Sequence, residues 1–228
     1  MQILAIATDY DGTLADDGVT AASTIAALTR FKATGRKLIM VTGRPLADLK
    51  LVFGGLALFD LVVAENGGLL YNPHTGIVRT LAAAPSEVFV ARLRERGVDE
   101  LAVGETVVAT HIGHFETIRD TIAEMGADLE IILNTDALMV LPPGTNKASG
   151  LKIALAELSL PAGSVAAIGD AENDVIFLSH CGTAVAVANA LPEVKAIANI
   201  VTLGSRGAGV EEFISWVLGN PAGLHDWR

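Results

Sequence analysis

The run Ile3-Leu4-Ala5-Ile6-Ala7-Thr8-Asp9-Tyr10-Asp11-Gly12-Thr13-Leu14 decides how this chain is read. It begins as an apolar segment of strand length and breaks at Gly12. Asp9 and Asp11 fall where the strand should end, and open α/β sheets bind ligands beyond the carboxyl ends of their strands. Residues i and i+2 of a strand point the same way, so both carboxylates can be aimed into one site, although a turn at Gly12 would rotate the second. Like charges at this spacing repel and need a cation or a proton between them, which points to a divalent metal or an acid/base pair. The plainer alternative is a strand-end aspartate capping a turn, with a second aspartate in the loop.

Working outward, Asp16-Asp17-Gly18 reads as a solvated turn, and Thr20 is placed to cap a helix with Ile25, Leu28 and Phe31 inward and Gly35 at its end. Lys37–Val41 is a second apolar strand, ending at Thr42-Gly43-Arg44-Pro45, with Pro45 in the first turn of a helix to Phe53. A strand end that runs into a helix N-terminus offers backbone N–H groups to an anion. The plainer alternative here is a helix cap with a surface arginine. A third strand, Asp60–Ala64, leads to Glu65-Asn66-Gly67-Gly68, and Leu69–Tyr71 pairs with Ile77–Thr80 as a hairpin. Strand and helix alternate throughout, the pattern of a doubly wound sheet.

The rhythm changes from about Pro85 to Leu141. The expected order is helix Ser86–Arg96, strands near Leu101–Val103 and Thr106–His111, helix Phe115–Met125, then strands Leu129–Leu133 and Ala137–Leu141. Such a unit is a small α+β insert, with turns at Gly104, Gly126 and Asn134-Thr135-Asp136, and Ala82–Pro85 and Pro142–Gly144 as its linkers. The first rhythm then resumes. Lys147 opens a helix to about Leu158, and strand Val165–Ile168 ends at Gly169-Asp170-Ala171-Glu172-Asn173-Asp174, which opens a helix through Ser179. Strand Ala184–Val187, helix Pro192–Ala198, strand Ile200–Thr202 and helix Gly209–Leu218 close the sheet, while 219–228 has no clear element. The expected division is a core of 1–82 and 143–228 with a cap of 83–142.

The composition fits a globular chain: 228 residues, 51% hydrophobic and 18% charged. A net charge of −10 disfavours nucleic acid and anionic membranes as partners. The single cysteine, Cys181, permits no internal disulfide, fits a reducing, cytoplasmic setting, and reads as a small buried residue. No apolar run approaches the roughly 18 residues of a membrane span. With no basic stretch ahead of it, Met1–Ala7 reads as a buried strand and not as a signal peptide.

Asp9 and Asp11, Thr42, Lys147, and Asp170 with Asp174 therefore lie at strand or linker ends. Carboxylates, one lysine and one hydroxyl suit a hard cation such as Mg²⁺ together with a phosphoryl group, and a carboxylate can serve as a nucleophile. In order and spacing, Asp9-Tyr10-Asp11-Gly12-Thr13, Val41-Thr42-Gly43-Arg44, Lys147 and Gly169–Asp174 resemble the four motifs of the haloacid dehalogenase superfamily. The position of the α+β insert, between the second and third motifs, is similar to its type IIB (Cof-type) phosphatases. That group includes sugar phosphatases, sucrose-phosphate phosphatase and archaeal phosphoglycolate phosphatase. Ala171 stands where the fourth motif usually has glycine, and Glu172 occupies a variable place.

The resemblance implies a Mg²⁺-dependent phosphomonoester hydrolase acting on a small phosphorylated substrate, as a monomer or homodimer. It implies that Asp9 is the nucleophile and a metal ligand. Asp11 is the acid/base, with its backbone carbonyl on the metal. Thr42, Gly43, Lys147 and Asn173 hold the phosphoryl group, and Asp170 and Asp174 complete the metal site. Arg44 and Asn66 lie at strand ends beside it, as expected substrate contacts. On the cap, alternation along Leu129–Asn134 sends Leu129, Ile131 and Leu133 to its helices, and Glu130, Ile132 and Asn134 toward the site, with His111 on the neighbouring strand. The alternatives are a phosphosugar mutase of the same superfamily and a non-catalytic phospho-ligand binding protein.

Overall fold

The computed structural model describes residues 2–220, so Met1 and the tail 221–228 lie outside the described residues. The core elements are β1 (Ala5–Thr8), α1 (Ala22–Lys32), β2 (Lys37–Val41), α2 (Leu46–Val52), β3 (Leu61–Ala64), β4 (Leu69–Tyr71) and β5 (Val78–Thr80). The insert supplies α3 (Glu87–Glu95), β6 (Ala102–Val103), β7 (Val108–His111), α4 (Phe115–Met125), β8 (Glu130–Asn134) and β9 (Ala137–Leu141). The core then resumes with α5 (Lys147–Glu157), β10 (Val165–Gly169), α6 (Val175–Leu178), β11 (Thr183–Ala186), α7 (Pro192–Ile197), β12 (Ile200–Val201) and α8 (Arg206–Gly219).

The core sheet runs β12-β11-β10-β1-β2-β3-β4-β5. It is parallel from β12 to β3 and ends in the antiparallel pair β4 and β5. The residues of β1, β3, β10 and β11 are all buried, which is why these strands read as unbroken apolar runs: both of their faces are covered. α1 packs with α8, and α5 packs with α6. β1 lies between β2 and β10, so the chain winds outward in both directions from this point. That is the topological switch of a doubly wound sheet.

The insert folds into its own antiparallel sheet, β6-β7-β9-β8. One face meets α3 and α4 around Phe89, Leu93, Ile118, Leu138 and Val140, with Leu129 and Ile131 against them. The other face carries Val107, Met139 and Leu141 with Ala109 and Ile132. Leu129, Ile131 and Ile132 thus lie on the sides that alternation gives them. Leu133 does not join the helix side: β8 is an edge strand, and Leu133 stays 37% exposed near its end.

Several boundaries differ from the sequence reading. Ala21, not Thr20, is the N-cap of α1. Pro45 caps α2 from outside the helix. Asp170–Ser179 is not one helix: Glu172–Asp174 is a 3₁₀ turn and α6 is short, because the Asp174 carboxylate binds backbone N–H groups at the loop. α8 begins at Arg206, ahead of the expected Gly209. Among the described residues, no helix is long and apolar enough to cross a membrane.

Candidate active site

Thr8 pairs with Met40 on one side and with Ile168 on the other, so the residues that follow β1, β2 and β10 emerge side by side. The Asp9 N–H still bonds Ile168 O at 2.9 Å, which keeps the first residue past β1 in register. The chain then turns at Gly12, where φ is +77° and a Cβ would lie 2.3 Å from Asp170 Oδ2. Only glycine tolerates both that conformation and that approach.

Lys147 reaches into this point from the start of α5. Its Nζ donates to Asp9 Oδ1 at 2.6 Å and to Asp174 Oδ1 at 2.5 Å, and all three residues are buried. Asp174 Oδ2 accepts the N–H of Asp170 at 2.7 Å and that of Ala171 at 3.0 Å. Thr13 Oγ1 donates to Asp170 Oδ1 at 2.6 Å. One oxygen each from Asp9, Asp170 and Asp174 lies within 4.8 Å of the others.

The electrostatics of this cluster are unbalanced. Burial raises Asp9 well above the usual carboxylate range; Lys147 opposes the shift, and Asp174 and Asp170 add to it. Burial, then Asp174, pushes Asp170 up to about 6. Burial also works against the charged form of Lys147, but Asp174 and Asp9 outweigh it and hold the ammonium above its ordinary range. Three carboxylates around one ammonium suit a hard divalent cation: the donors are all oxygen, and the added charge would relieve the crowding.

The Asp11 carboxylate lies outside that cluster. Arg44 grips it with both edges of its fork, Nε to Oδ2 at 2.6 Å and Nη2 to Oδ1 at 2.7 Å. Arg44 was expected to contact substrate; its guanidinium is instead committed to Asp11, within the same cleft. Thr42 is buried, and its Oγ1 accepts the Arg44 N–H at 3.1 Å. Asn66 is fully buried, and its Oδ1 accepts from Asn173 Nδ2 at 3.1 Å. Asn66 Nδ2 and Asn173 Oδ1 have no partner. Asn66 therefore lies behind the cleft wall with Asn173 and does not face the opening, because the loop after β3 turns it inward at φ +53°.

The cap forms one wall of an open cleft with a volume of about 530 Å³. From the core it is lined by Asp9, Asp11, Gly43, Arg44, Asp170 and Arg206, and from the cap by Asn134, Thr135, Ala137 and Met139, among others. Of the expected cap residues only Asn134 reaches it. Glu130 pairs with Leu141 at the far end of β8, and its Oε2 accepts the Gly144 N–H at 3.3 Å, beside the return linker. His111 pairs with Ala137 but is exposed, and its Nδ1 accepts the Gly113 N–H as the cap of a short turn. A larger cavity of about 960 Å³ between α2 and the β6 side of the cap contains none of the expected catalytic or metal residues.

Two core carboxylates fasten the cap, and the sequence reading gave neither that role. Glu65 is buried at φ +54°. Its Oε2 accepts the Thr106 N–H at 2.6 Å and the Thr106 hydroxyl at 2.9 Å, and its Oε1 accepts the Glu105 N–H at 3.1 Å. A Cβ at Gly104 would lie 2.7 Å from the Glu65 carboxylate carbon, so glycine is required at that contact. Glu172 Oε2 accepts the Thr135 N–H at 3.0 Å. The available signal was the position of Glu65, a charge directly after an apolar strand, which must find a partner once buried. Arg206 was also missed: it pairs with Asp16 at 2.9 Å, and its N–H donates to Asn189 Oδ1 at 2.7 Å.

The family model described as haloacid dehalogenase-like hydrolase matches residues 6–121 and 102–214. The phosphoglycolate phosphatase of Methanothermobacter thermautotrophicus is 31% identical over 221 residues, covering 94% of this chain and 99% of that protein. Phosphoglycolate phosphatase 2 of Saccharolobus solfataricus is 28% identical over 221 residues, covering 93% and 91% respectively. A solved haloacid dehalogenase-like hydrolase from Bacteroides thetaiotaomicron matches in fold with a TM-score of 0.80, covering 95% of this chain and 100% of the other at 19% identity. Sequence and architecture agree along almost the whole described chain, which belongs to the haloacid dehalogenase-like hydrolases as one of their phosphatases.

Proposed function

We propose that this chain is a Mg²⁺-dependent phosphomonoester hydrolase whose substrate is a small phosphorylated carboxylic acid of the phosphoglycolate type. The observation that carries the reading is the buried Asp9, placed by Lys147 at 2.6 Å beside Asp170 and Asp174 at a cleft between core and cap. Asp9, Asp170 and Asp174 would hold Mg²⁺, joined by the Asp11 carbonyl. Bound there, the ion supplies positive charge to the phosphoryl oxygens.

The protein's own groups account for the rest. Lys147 neutralises the approach of a phosphate dianion to a carboxylate-rich floor. Asp9 attacks phosphorus and the ester P–O bond breaks; Asp11, once it has left the Arg44 fork and taken up a proton, gives that proton to the leaving oxygen. Water then attacks the aspartyl phosphate, Asp11 takes a proton from it, and phosphate leaves with Asp9 restored. Thr42 and Gly43, on the loop after β2, flank the phosphoryl position, and Asn173 supports that loop from behind through Asn66. Met139 and the other cap residues exclude water from the covered part of the cleft.

The substrate class is supported by the cleft's size; its two guanidiniums are already paired, Arg44 with Asp11 and Arg206 with Asp16. A second polar group on the substrate would have Asn134 as a contact from the cap. The phosphoglycolate phosphatases at up to 31% identity point the same way. The test is phosphate release with Mg²⁺ from phosphoglycolate, hexose 6-phosphates and p-nitrophenyl phosphate. Phosphoglycolate should give the highest kcat/KM. A hexose phosphate in first place would refute the substrate class, and no turnover of any of them would refute the hydrolase.

A further inference from the structure

Five carboxylates line the cleft, Asp9, Asp11, Asp48, Asp136 and Asp170, against two guanidiniums, Arg44 and Arg206. An anionic group on a substrate, away from its phosphate, is repelled by most of this wall. Its place is set by whichever cation still has donors to give. Arg44 has spent both edges of its fork on Asp11, at 2.6 and 2.7 Å. Arg206 has not. It meets Asp16 through Nη1 alone, at 2.9 Å, and its Nε and Nη2 have no partner among the described residues. The two side chains of that pair are 43% and 61% exposed, and an ion pair so open to water is weak. The planar Nε–Nη2 edge, which can take both oxygens of a carboxylate, is left open.

The backbone of Arg206 is fixed against the cation site. Its N–H donates to Asn189 Oδ1 at 2.7 Å, Asn189 Nδ2 donates to Gly12 O at 2.9 Å, and Gly12 lies against the Asp170 carboxylate. These bonds hold Arg206 at φ +52°, a left-handed conformation that costs energy in any residue with a Cβ. Asp16 is fixed by a tight turn of its own, in which Asp16 and Val19 exchange N–H···O bonds at 3.0 and 2.9 Å. We propose that Arg206 is the specificity-determining residue for the acid group of the substrate: its open edge binds the carboxylate remote from phosphorus, while Asp16 holds the guanidinium at the cleft by the other nitrogen. The inference rests on the hydrolase reading above and names the side chain that selects the substrate class. Asn134, the neutral contact from the cap, does not discriminate by charge.

Phosphoglycolate and ethyl phosphate differ in one group, a carboxylate against a methyl. Both are assayed with Mg²⁺ on the wild type and on Arg206→Ala, Arg206→Lys and Asp16→Asn. The wild type should prefer phosphoglycolate, and Arg206→Ala should lose about tenfold of that preference, mainly in KM, as expected for one charge-assisted contact. Arg206→Lys should recover part of it. Asp16→Asn should act in the opposite direction and lower KM for phosphoglycolate, because a neighbouring anion is removed and the guanidinium stays. If Arg206 only braced the turn at Asp16, the two variants would behave alike and lose equally on both substrates. Competitive inhibition of p-nitrophenyl phosphate hydrolysis by 3-phosphonopropionate and by propylphosphonate repeats the comparison without turnover of the ligand. A wild type without the preference, an Arg206→Ala variant that keeps it, or equal losses on both substrates would overturn the proposal. Hydrolysis of p-nitrophenyl phosphate separates the two levels of argument. If it proceeds in any of those cases, the hydrolase reading stands and the role of Arg206 alone fails. If the wild type hydrolyses none of the three esters, the hydrolase reading fails and the role of Arg206 with it.

Discussion

Replacing Glu65 by alanine should loosen the cap from the core. The carboxylate is 1% exposed and accepts three hydrogen bonds from Glu105 and Thr106, at 2.6, 2.9 and 3.1 Å. A bond to a charged group nets roughly 1.5–3 kcal/mol, so three set an upper bound of about 5–9 kcal/mol. Water entering the vacated space and relaxation of the β6–β7 turn recover part of this, and about 3 kcal/mol is the expected loss. For a chain of this size that corresponds to a melting temperature lower by about 6–12 °C. Glu65→Gln separates charge from shape, since it keeps one acceptor but turns an amide donor toward donors. Thermal melting gives the magnitude, and hydrogen exchange at the Glu105 and Thr106 amides locates it. In the alanine variant those amides should exchange much faster, while amides in β1 and β10 change least. A wild-type melting temperature together with wild-type protection at Glu105 and Thr106 would refute the reasoning.

The other predictions concern the cleft. Asp9→Asn keeps the side-chain volume but removes the attacking charge, and should lower phosphatase activity by several orders of magnitude; near-normal hydrolysis of p-nitrophenyl phosphate by the purified variant would sink the mechanism. Asp170 is pushed up to about 6, by burial first and Asp174 second, so the stability it lends is complete below the unfolded value of 3.8 and is lost as pH rises through about 6. Mg²⁺ bound to the ionised cluster should offset that loss, so the gain in melting temperature on adding Mg²⁺ should be larger at pH 7 than at pH 5; an equal or smaller gain at pH 7 would remove Asp170 from the cation site. Asn134→Ala should change kcat/KM among natural substrates while Glu130→Ala leaves the profile unaltered; a shift in specificity from Glu130→Ala alone would show that the cap is seated differently.

The central parallel strands β1, β3, β10 and β11 were legible because each is buried on both faces and must be written as an apolar run. Asp9 and Asp170 directly follow two of these runs. The two-residue edge strands β6 and β12 were also read to within a residue of their ends. Cap residues were legible only in part. Alternation put Ile131 and Ile132 on their proper faces, but it says nothing about how far along β8 the cleft extends. Glu130 and Asn134 share a face, and only the latter is near the opening. Register and docking decide that, and both depend on contacts distant in sequence, such as Glu172 with Thr135.

Charges raise a sharper version of the same problem. Their positions are visible in the sequence, but which of them pair is decided in three dimensions. Arg44 read as a substrate contact because it follows Thr42-Gly43 at a helix start, and that reading treats the arginine as unspent. In the fold it faces Asp11, which is also exposed to the cleft, and a bidentate pair is the lowest-energy use of both groups. Lys147, expected at the phosphoryl group, bridges Asp9 and Asp174 in a site that would otherwise hold uncompensated buried charge. The two cations thus divide the aspartates between them. Lys147 keeps Asp9 in the cluster, and Arg44 keeps the Asp11 carboxylate out of it, so two carboxylates two residues apart sit in different electrostatic surroundings.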